Sequence, residues 1–359
     1  MANTKPMMHD QFAELSRRRL EEILSSLADV SIAVVGDGCL DVYWEADMTR
    51  SQLSRETPHF PLPVFRERMS LGAAANVAAN LAALGIKRVG FLTVIGQDWR
   101  GREMETLLAQ QGIDDSLVVT AKGRVTPAYC KPIRYGYGDV WYEDPRLDFE
   151  NPVPLDADTE MEVIQRLRGI PSEYQGMIVA DQLNNGVITE AVRQEINQLG
   201  SHYPIVVDSR ERIHLYRHAT LKPNHVELLK AVAPEVEPDA VDKETLVQGA
   251  LELSRLNCAR VLVTAGELGA IWVDGSDRIL AVATKPAEPP IDPVGAGDCF
   301  ISAFTACSAA GAEVGEAIFI ANLAARIVVK KLRITGTATP EEILQEYEML
   351  YGTHPVAAK

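Results

Sequence analysis

Short runs of branched apolar residues alternate along this chain with stretches in which apolar positions recur every three to four residues. The runs occupy 32–36, 89–95, 177–180, 205–207, 261–264 and 270–273. Hydrophobicity that is continuous rather than alternating marks strands covered on both faces. Helical periodicity falls near 74–84, 102–111, 158–169, 187–199, 242–256, 296–310, 313–330 and 340–350. Strands alternating with helices predict an α/β fold, a doubly wound and mostly parallel sheet flanked by helices. Several runs end in Gly or Asp, at Gly36-Asp37, Gly96, Asp181, Asp208 and Gly266. Ligands of open α/β sheets sit beyond the carboxyl ends of the strands, so chemistry is expected there.

Three segments depart from this rhythm. Residues 9–28 place Phe12, Leu15, Leu20, Ile23, Leu24 and Leu27 at helical spacing among Arg and Glu. They predict an amphipathic helix that packs on the core or at a subunit contact, not a leader peptide. Residues 42–70 carry Pro58, Pro61 and Pro63 among alternating side chains, and residues 124–150 carry Tyr129, Tyr135, Tyr137, Trp141 and Tyr142. Long structureless loops are uncommon in compact domains. The two segments predict a small β-sheet lid on one domain that covers residues 1–359.

Composition narrows the function classes. A 47% hydrophobic, 24% charged chain of 359 residues can bury a full core. A net charge of −15 argues against broad attraction to nucleic acid or an anionic membrane. No apolar run is long enough to span a bilayer. Five cysteines without a CxxC pair argue against a disulfide framework or a cysteine zinc site. Together these predict a cytoplasmic protein with free thiols.

The strongest local chemistry is Asp292-Pro293-Val294-Gly295-Ala296-Gly297-Asp298 leading into an apolar helix. Backbone N–H groups of Gly295, Ala296 and Gly297 at a helix N-terminus would form an anion hole. Asp298 beside it is placed to take a proton from an attacking hydroxyl, or else sits favourably in a first helical turn. A second segment, Gly72-Ala73-Ala74-Ala75-Asn76, puts an amide at the start of a small-residue helix. Asn76 there could meet sugar hydroxyls as donor and acceptor. After the first strand, Asp37 or Asp41 could accept from vicinal hydroxyls, or serve turn chemistry. Asn224 and Glu227, three apart at a helix start, could orient water around Mg²⁺ or simply cap the helix.

These segments, in this order, resemble the PfkB/ribokinase family of carbohydrate kinases. Residues 72–85 look like its first signature, 292–300 its second, and Asn224-His225-Val226-Glu227 its NxxE element. Residues 261–264 with Gly266 and Gly269 resemble the family's strand and loop beside the nucleotide. Within the family the chain is most similar to the heptose-7-phosphate kinase domain of ADP-heptose synthases, through VVGDGCLDVYW at 34–44 and RLDFE at 146–150.

The resemblance implies MgATP-dependent phosphorylation of a sugar hydroxyl with Asp298 as base. A sugar site would draw on Asp41, Gly72, Asn76 and Arg146. A nucleotide site would draw on Asn224, Glu227, Thr264, Gly266 and Gly269, with Mg²⁺ held through water and no direct metal ligand. A monovalent cation is a further candidate, as is homodimerisation through the lids. Asn185 and Val42 stand where the heptose kinases usually carry basic residues, which leaves Lys131, Arg134, Arg146 and Arg210 as candidate cations. A kinase for another sugar or sugar acid, and a catalytically silent binding protein of the same fold, are the alternatives. A nicotinamide dehydrogenase fits poorly, because no GxGxxG follows the first strand.

Overall fold

The computed structural model describes residues 10–12, 14–237, 242–276 and 278–352. Numbered along the chain, its main sheet runs β1 (Asp10–Phe12), β16 (Ile279–Val282), β15 (Ala270–Val273), β14 (Arg260–Thr264), β13 (Thr220–Leu221), β12 (Ile205–Ser209), β11 (Gly176–Asp181), β2 (Ser31–Gly36), β5 (Arg88–Leu92). Among the described residues only β15 runs antiparallel to its neighbours. Alternate residues of the central strands enter opposite halves of the core. Ile32, Val34, Ile178 and Val206 pack with residues of helices α1 (Arg17–Ser26), α2 (Ala74–Ala83), α8 (Ala296–Ala309), α9 (Val314–Val329) and α10 (Pro340–Tyr351). Ala33, Val35, Val179 and Val207 pack with residues of α4 (Ala157–Gly169), α5 (Glu190–Leu199), α6 (His225–Val232) and α7 (Lys243–Asn257). Such two-sided burial explains why these strands carry unbroken apolar runs.

The N-terminal helix is shorter than the periodicity over 9–28 predicts. Asp10–Phe12 pair in parallel with Leu280–Val282 as an edge strand. The helix begins only behind Ser16, whose hydroxyl accepts the Arg19 N–H at 3.3 Å. Pairing with the open edge of β16 satisfies backbone groups that a helix would otherwise leave to water. Residue 9 lies outside the described residues. The helix itself lies on the core, with Leu20, Ile23, Leu24 and Leu27 buried and Arg19 paired bidentately to Glu316 of α9 at 2.9 and 3.0 Å. The run over 89–95 also divides. Its end, Val94–Gly96 (β6), leaves the main sheet to pair with Val119–Ala121 (β7), while the Thr93 hydroxyl between the two accepts the Gly38 N–H at 3.0 Å.

A second sheet stands off the first, in the order β10 (Leu147–Phe149), β8 (Ala128–Tyr135), β3 (Gly38–Asp47), β4 (Val64–Ala73), with β9 (Trp141–Glu143) against β8. It reaches further than 42–70, because Gly38–Asp41 continue the antiparallel pairing with Ser70–Ala73. Only Asp37 separates β2 from β3, and α2 follows β4 without a loop. The second sheet is thereby fixed at both ends of its β3–β4 hairpin to the carboxyl edge of the main sheet.

Two buried carboxylates lock that edge. Asp37 accepts the backbone N–H groups of Gln182, Leu183 and Val187 at 2.7–2.8 Å. Its carboxyl is pushed up to about 6, first by burial and then by Asp181, against the pull of those three amides. Asp181 is held by Ser209 and Tyr216 hydroxyls at 2.8 Å each and by the Arg212 guanidinium. Removing one member of a buried charge network leaves its partners desolvated and unpaired. Asp181→Ala is therefore expected to cost roughly 3–5 kcal/mol in urea unfolding. A loss below about 1 kcal/mol would mean that Arg212 finds solvent or another partner.

Candidate active site

Helix α8 begins where the chain turns through Gly295 at φ +80°. A side chain there would be strained, and its Cβ would press on the Asn76 amide at 3.3 Å and on Thr335 at 3.4 Å. The turn is pinned from behind. Asp292 accepts the N–H groups of Val294 and Arg333 at 3.1 Å each, and its own N–H bonds Val329. Of the three amides expected at the helix mouth, that of Ala296 donates to the Pro293 carbonyl at 3.2 Å. The Gly295 and Gly297 N–H groups remain at the opening, and unpaired first-turn amides attract anions.

Asp298 lies in the first turn of α8, enclosed by protein on most sides while part of the residue opens to the cleft. Its Oδ2 accepts the Asn76 Nδ2–H at 2.7 Å. Burial pushes its carboxyl up to about 7, helped by Asp208 and Asp41 and opposed by the Asn76 hydrogen bond and Lys222. Asn76 is only 1% exposed, and its Oδ1 accepts from Asn80 at 3.2 Å. The structure thus sets Asn76 first against Asp298 rather than open to a sugar on both its polar atoms.

Asp41 separates clearly from Asp37. The Asp37 oxygens are consumed by backbone amides, whereas Asp41 meets side chains only. Lys131 Nζ stands 3.2 Å from its Oδ1, and the Thr335 hydroxyl donates to Oδ2 at 2.8 Å. Gly72 on the neighbouring strand allows the approach, since a Cβ would sit 3.1 Å from that same Oδ2. Arg146 is further out. Its guanidinium is bonded to Asp148 at 2.6 and 2.7 Å and lies 4.2 Å over the Tyr129 ring.

The remaining predicted residues form a second group. Asn224 and Glu227 make a reciprocal capping box at 2.8 and 2.9 Å. Thr264 pairs with Asn224 through an isolated bridge, and Gly266 and Gly269, at φ +53° and +84°, shape the turn after β14. The two groups are joined by Lys222, which the motif reading passes over. Its side chain is buried, its Nζ stands 3.1 Å from Asp208, and a Cβ on Gly297 would lie 3.9 Å from that Nζ. Glu227 is pushed up to about 7, by burial first and Asp208 next, with Lys222 and Arg210 opposing. Thr335 was likewise missed, because its approach to Asp41 spans 294 residues.

No group of three or more metal-ligating side chains converges among the described residues, and no described helix is long and apolar enough to cross a membrane. A cavity of about 1350 Å³ opens at the opposite ends of the strands beside Gly176, Ile205 and Arg260 and is lined by none of the candidate site residues. A smaller one of about 400 Å³ is lined by Asn76, Ser70 and Thr335.

Residues 42–342 match the sequence pattern described as pfkB family carbohydrate kinase. The chain belongs to this family. It is accordingly an ATP-dependent carbohydrate kinase with a ribokinase-like fold. Curated relatives include the bifunctional protein HldE of Trichlorobacter lovleyi, 31% identical over 92% of this chain and 65% of the relative. That of Rhodospirillum rubrum is 32% identical over 89% and 62%. The chain thus spans a little under two thirds of the length of these relatives. In fold it is similar to phosphofructokinase-2 from Escherichia coli in complex with substrates and products, with TM-score 0.69, 22% identity, and 89% and 99% of the two chains covered. It is also similar to Arabidopsis thaliana ribokinase complexed with ribose and ATP, with TM-score 0.63, 18% identity, and 89% and 98% covered.

In this kinase the raised carboxyl of Asp298 has a cost in stability. An unfolded aspartate ionises near its ordinary value of about 4, while the folded one holds its proton to about 7. The folded state thus binds more protons across that window, and stability contributed by the neutral carboxyl is lost as pH rises through it. Asp298→Asn should therefore be more stable than wild type by about 1–3 kcal/mol at pH 8, with a much smaller gap at pH 4.5. Urea unfolding at the two pH values measures it. A gap independent of pH would contradict the assigned burial.

Proposed function

We propose that this pfkB kinase transfers the γ-phosphoryl group of ATP to a hydroxyl of a sugar that already carries a phosphate, in the manner of the heptose-7-phosphate kinases. The observation that carries the reading is Asp298. It is a largely enclosed carboxyl near neutrality, steered by Asn76 and set beside two unpaired helix-mouth amides. A base poised near working pH is the most effective one for taking a hydroxyl proton. Asp298 Oδ1, the oxygen not bonded to Asn76, is the atom that receives it. The Gly295 and Gly297 amides and the helix dipole then favour the charge that builds on the transferring group.

Asp41, aligned by Lys131 and Thr335, orients the acceptor sugar. Thr264, Gly266, Gly269 and the α6 start border the nucleotide. The surplus of carboxylates at Asp208 and Glu227 fits a Mg²⁺ held through water, with neither Asn224 nor Glu227 a direct ligand; the ion supplies charge neutralisation for the phosphates. The described chain acts as one kinase unit whose second sheet serves as a lid. Exposed Val64, Phe65, Tyr142 and Leu147 on that sheet, with Phe60 in the connection before β4, support pairing of two lids in a homodimer.

One observation favours a second reading, a kinase for an unphosphorylated sugar. Three of the four candidate cations are committed within the chain: Lys131 to Asp41, Arg134 to Asp144, and Arg146 to Asp148. Arg210, exposed and electrostatically coupled to both Tyr129 and Glu227, is the cation that remains for a substrate phosphate. ADP release from MgATP, screened against neutral sugars and sugar phosphates including heptose 7-phosphate, separates the two. The phosphorylated acceptor should turn over best, and Arg210→Gln should raise its KM by about 10-fold or more, the loss of one charge-assisted contact. Preference for neutral sugars with no effect of Arg210→Gln would establish the second reading.

A further inference from the structure

Lys222 has no role in the chemistry so far, yet its placement is unusual. It is 2% exposed, in the short connection between β13 and α6. A lysine this deep keeps its charge only if carboxylates surround it. Asp208, at the end of β12, supplies the direct contact at 3.1 Å. The other face of the ammonium looks toward the α8 mouth, 3.9 Å from where a Cβ on Gly297 would stand, one residue before Asp298. Glu227 and Asp298 add to Asp208 in holding the proton on Lys222, against its desolvation.

We infer that Lys222 is a positioning residue for the transfer. Anchored by Asp208 beneath the Gly297 end of the helix mouth, its ammonium holds Asp298 in the ionised form that accepts the hydroxyl proton. The inference rests on the reading of Asp298 as base. The groups that act most strongly on the Asp298 carboxyl are the Asn76 amide from α2, which bonds it directly, Asp208 from β12, Lys222 after β13 and Asp41 from β3. Its own helix adds the unpaired Gly295 and Gly297 amides at its mouth, while the Ser302 hydroxyl bonds the Asp298 carbonyl rather than the carboxyl. Two of these neighbours are negative and disfavour the carboxylate. Lys222 is the one cation among them, and it also offsets Asp208. Without it, Asp298 would face two carboxylates with only neutral amides in support, and would keep its proton above neutrality.

The test needs no acceptor. The urea-stability gap between Asp298→Asn and its parent grows with pH until Asp298 is ionised in the folded protein, and the pH at which growth stops reads that ionisation. In a Lys222→Met background this plateau should move up by about 1 pH unit or more, as expected for loss of a nearby opposite charge. In an Asp208→Asn background it should move down. In the double background Lys222→Met/Asp208→Asn it should return toward wild type. Should Lys222→Met fail to fold, the Asp208→Asn arm decides by its sign. An unmoved plateau in the Lys222→Met background, or an upward move with Asp208→Asn, overturns the inference. Those outcomes are independent of whether Asp298 is the base, which is judged from turnover of Asp298→Asn in the parent.

Discussion

The hydrogen bond between Asn76 and Asp298 is the contact on which the site depends, because it joins two helices that reach it by different routes. α2 arrives directly from the second sheet, with Ala73 at φ +51° making the turn between β4 and the helix. α8 arrives from the far side of the molecule through the Gly295 turn. At 2.7 Å the bond sets the position of the carboxyl relative to the helix mouth. It also ties that position to β3 and β4, and so to Asp41. A shift of the second sheet would therefore move Asp41 and Asp298 together, so that their relative position is kept.

The carboxyl edge of the main sheet carries many buried acids, and what distinguishes them is how completely they are satisfied. Asp37 receives three backbone amides; Asp181 receives two hydroxyls and a guanidinium. Both are spent on holding the 182–187 loop and β12 against the sheet. Asp298 and Glu227 each keep an oxygen without such a partner, and both are pushed up to about 7 by burial. Under-satisfied buried acids cost stability and are found where chemistry is done. The balance of charge among Asp208, Lys222, Glu227 and Asp298 is thus the electrostatic frame of the site, and Arg210 stands at its rim.

Much of this was legible in the sequence, for identifiable reasons. The central strands are covered on both faces, so the runs at 32–36, 177–180 and 205–207 carry no competing polar pattern. The Gly295–Gly297 turn needs residues without side chains, and such turns are conspicuous. Other parts left little trace. β1 and β13 hold three and two residues, too few to show a period. Asp37 and Asp41 look equivalent in the chain; only the pairing of β3 with β4 and the 182–187 loop decides which is structural. Lys222 reads as a helix-start residue because its partners, Asp208 and the Gly297 turn, are distant in sequence. The Ala296 amide was expected to point outward, but Pro293 provides a carbonyl that turns it back.

The central claim is that Asp298 takes the acceptor's proton. Its most direct measurement is the turnover of Asp298→Asn with a responsive acceptor, alongside calorimetric ATP affinity. The account predicts a fall in kcat of roughly 10²–10⁴-fold, the usual loss for a positioned base, with ATP binding and fold retained. Turnover near that of wild type in the same folded variant would contradict it.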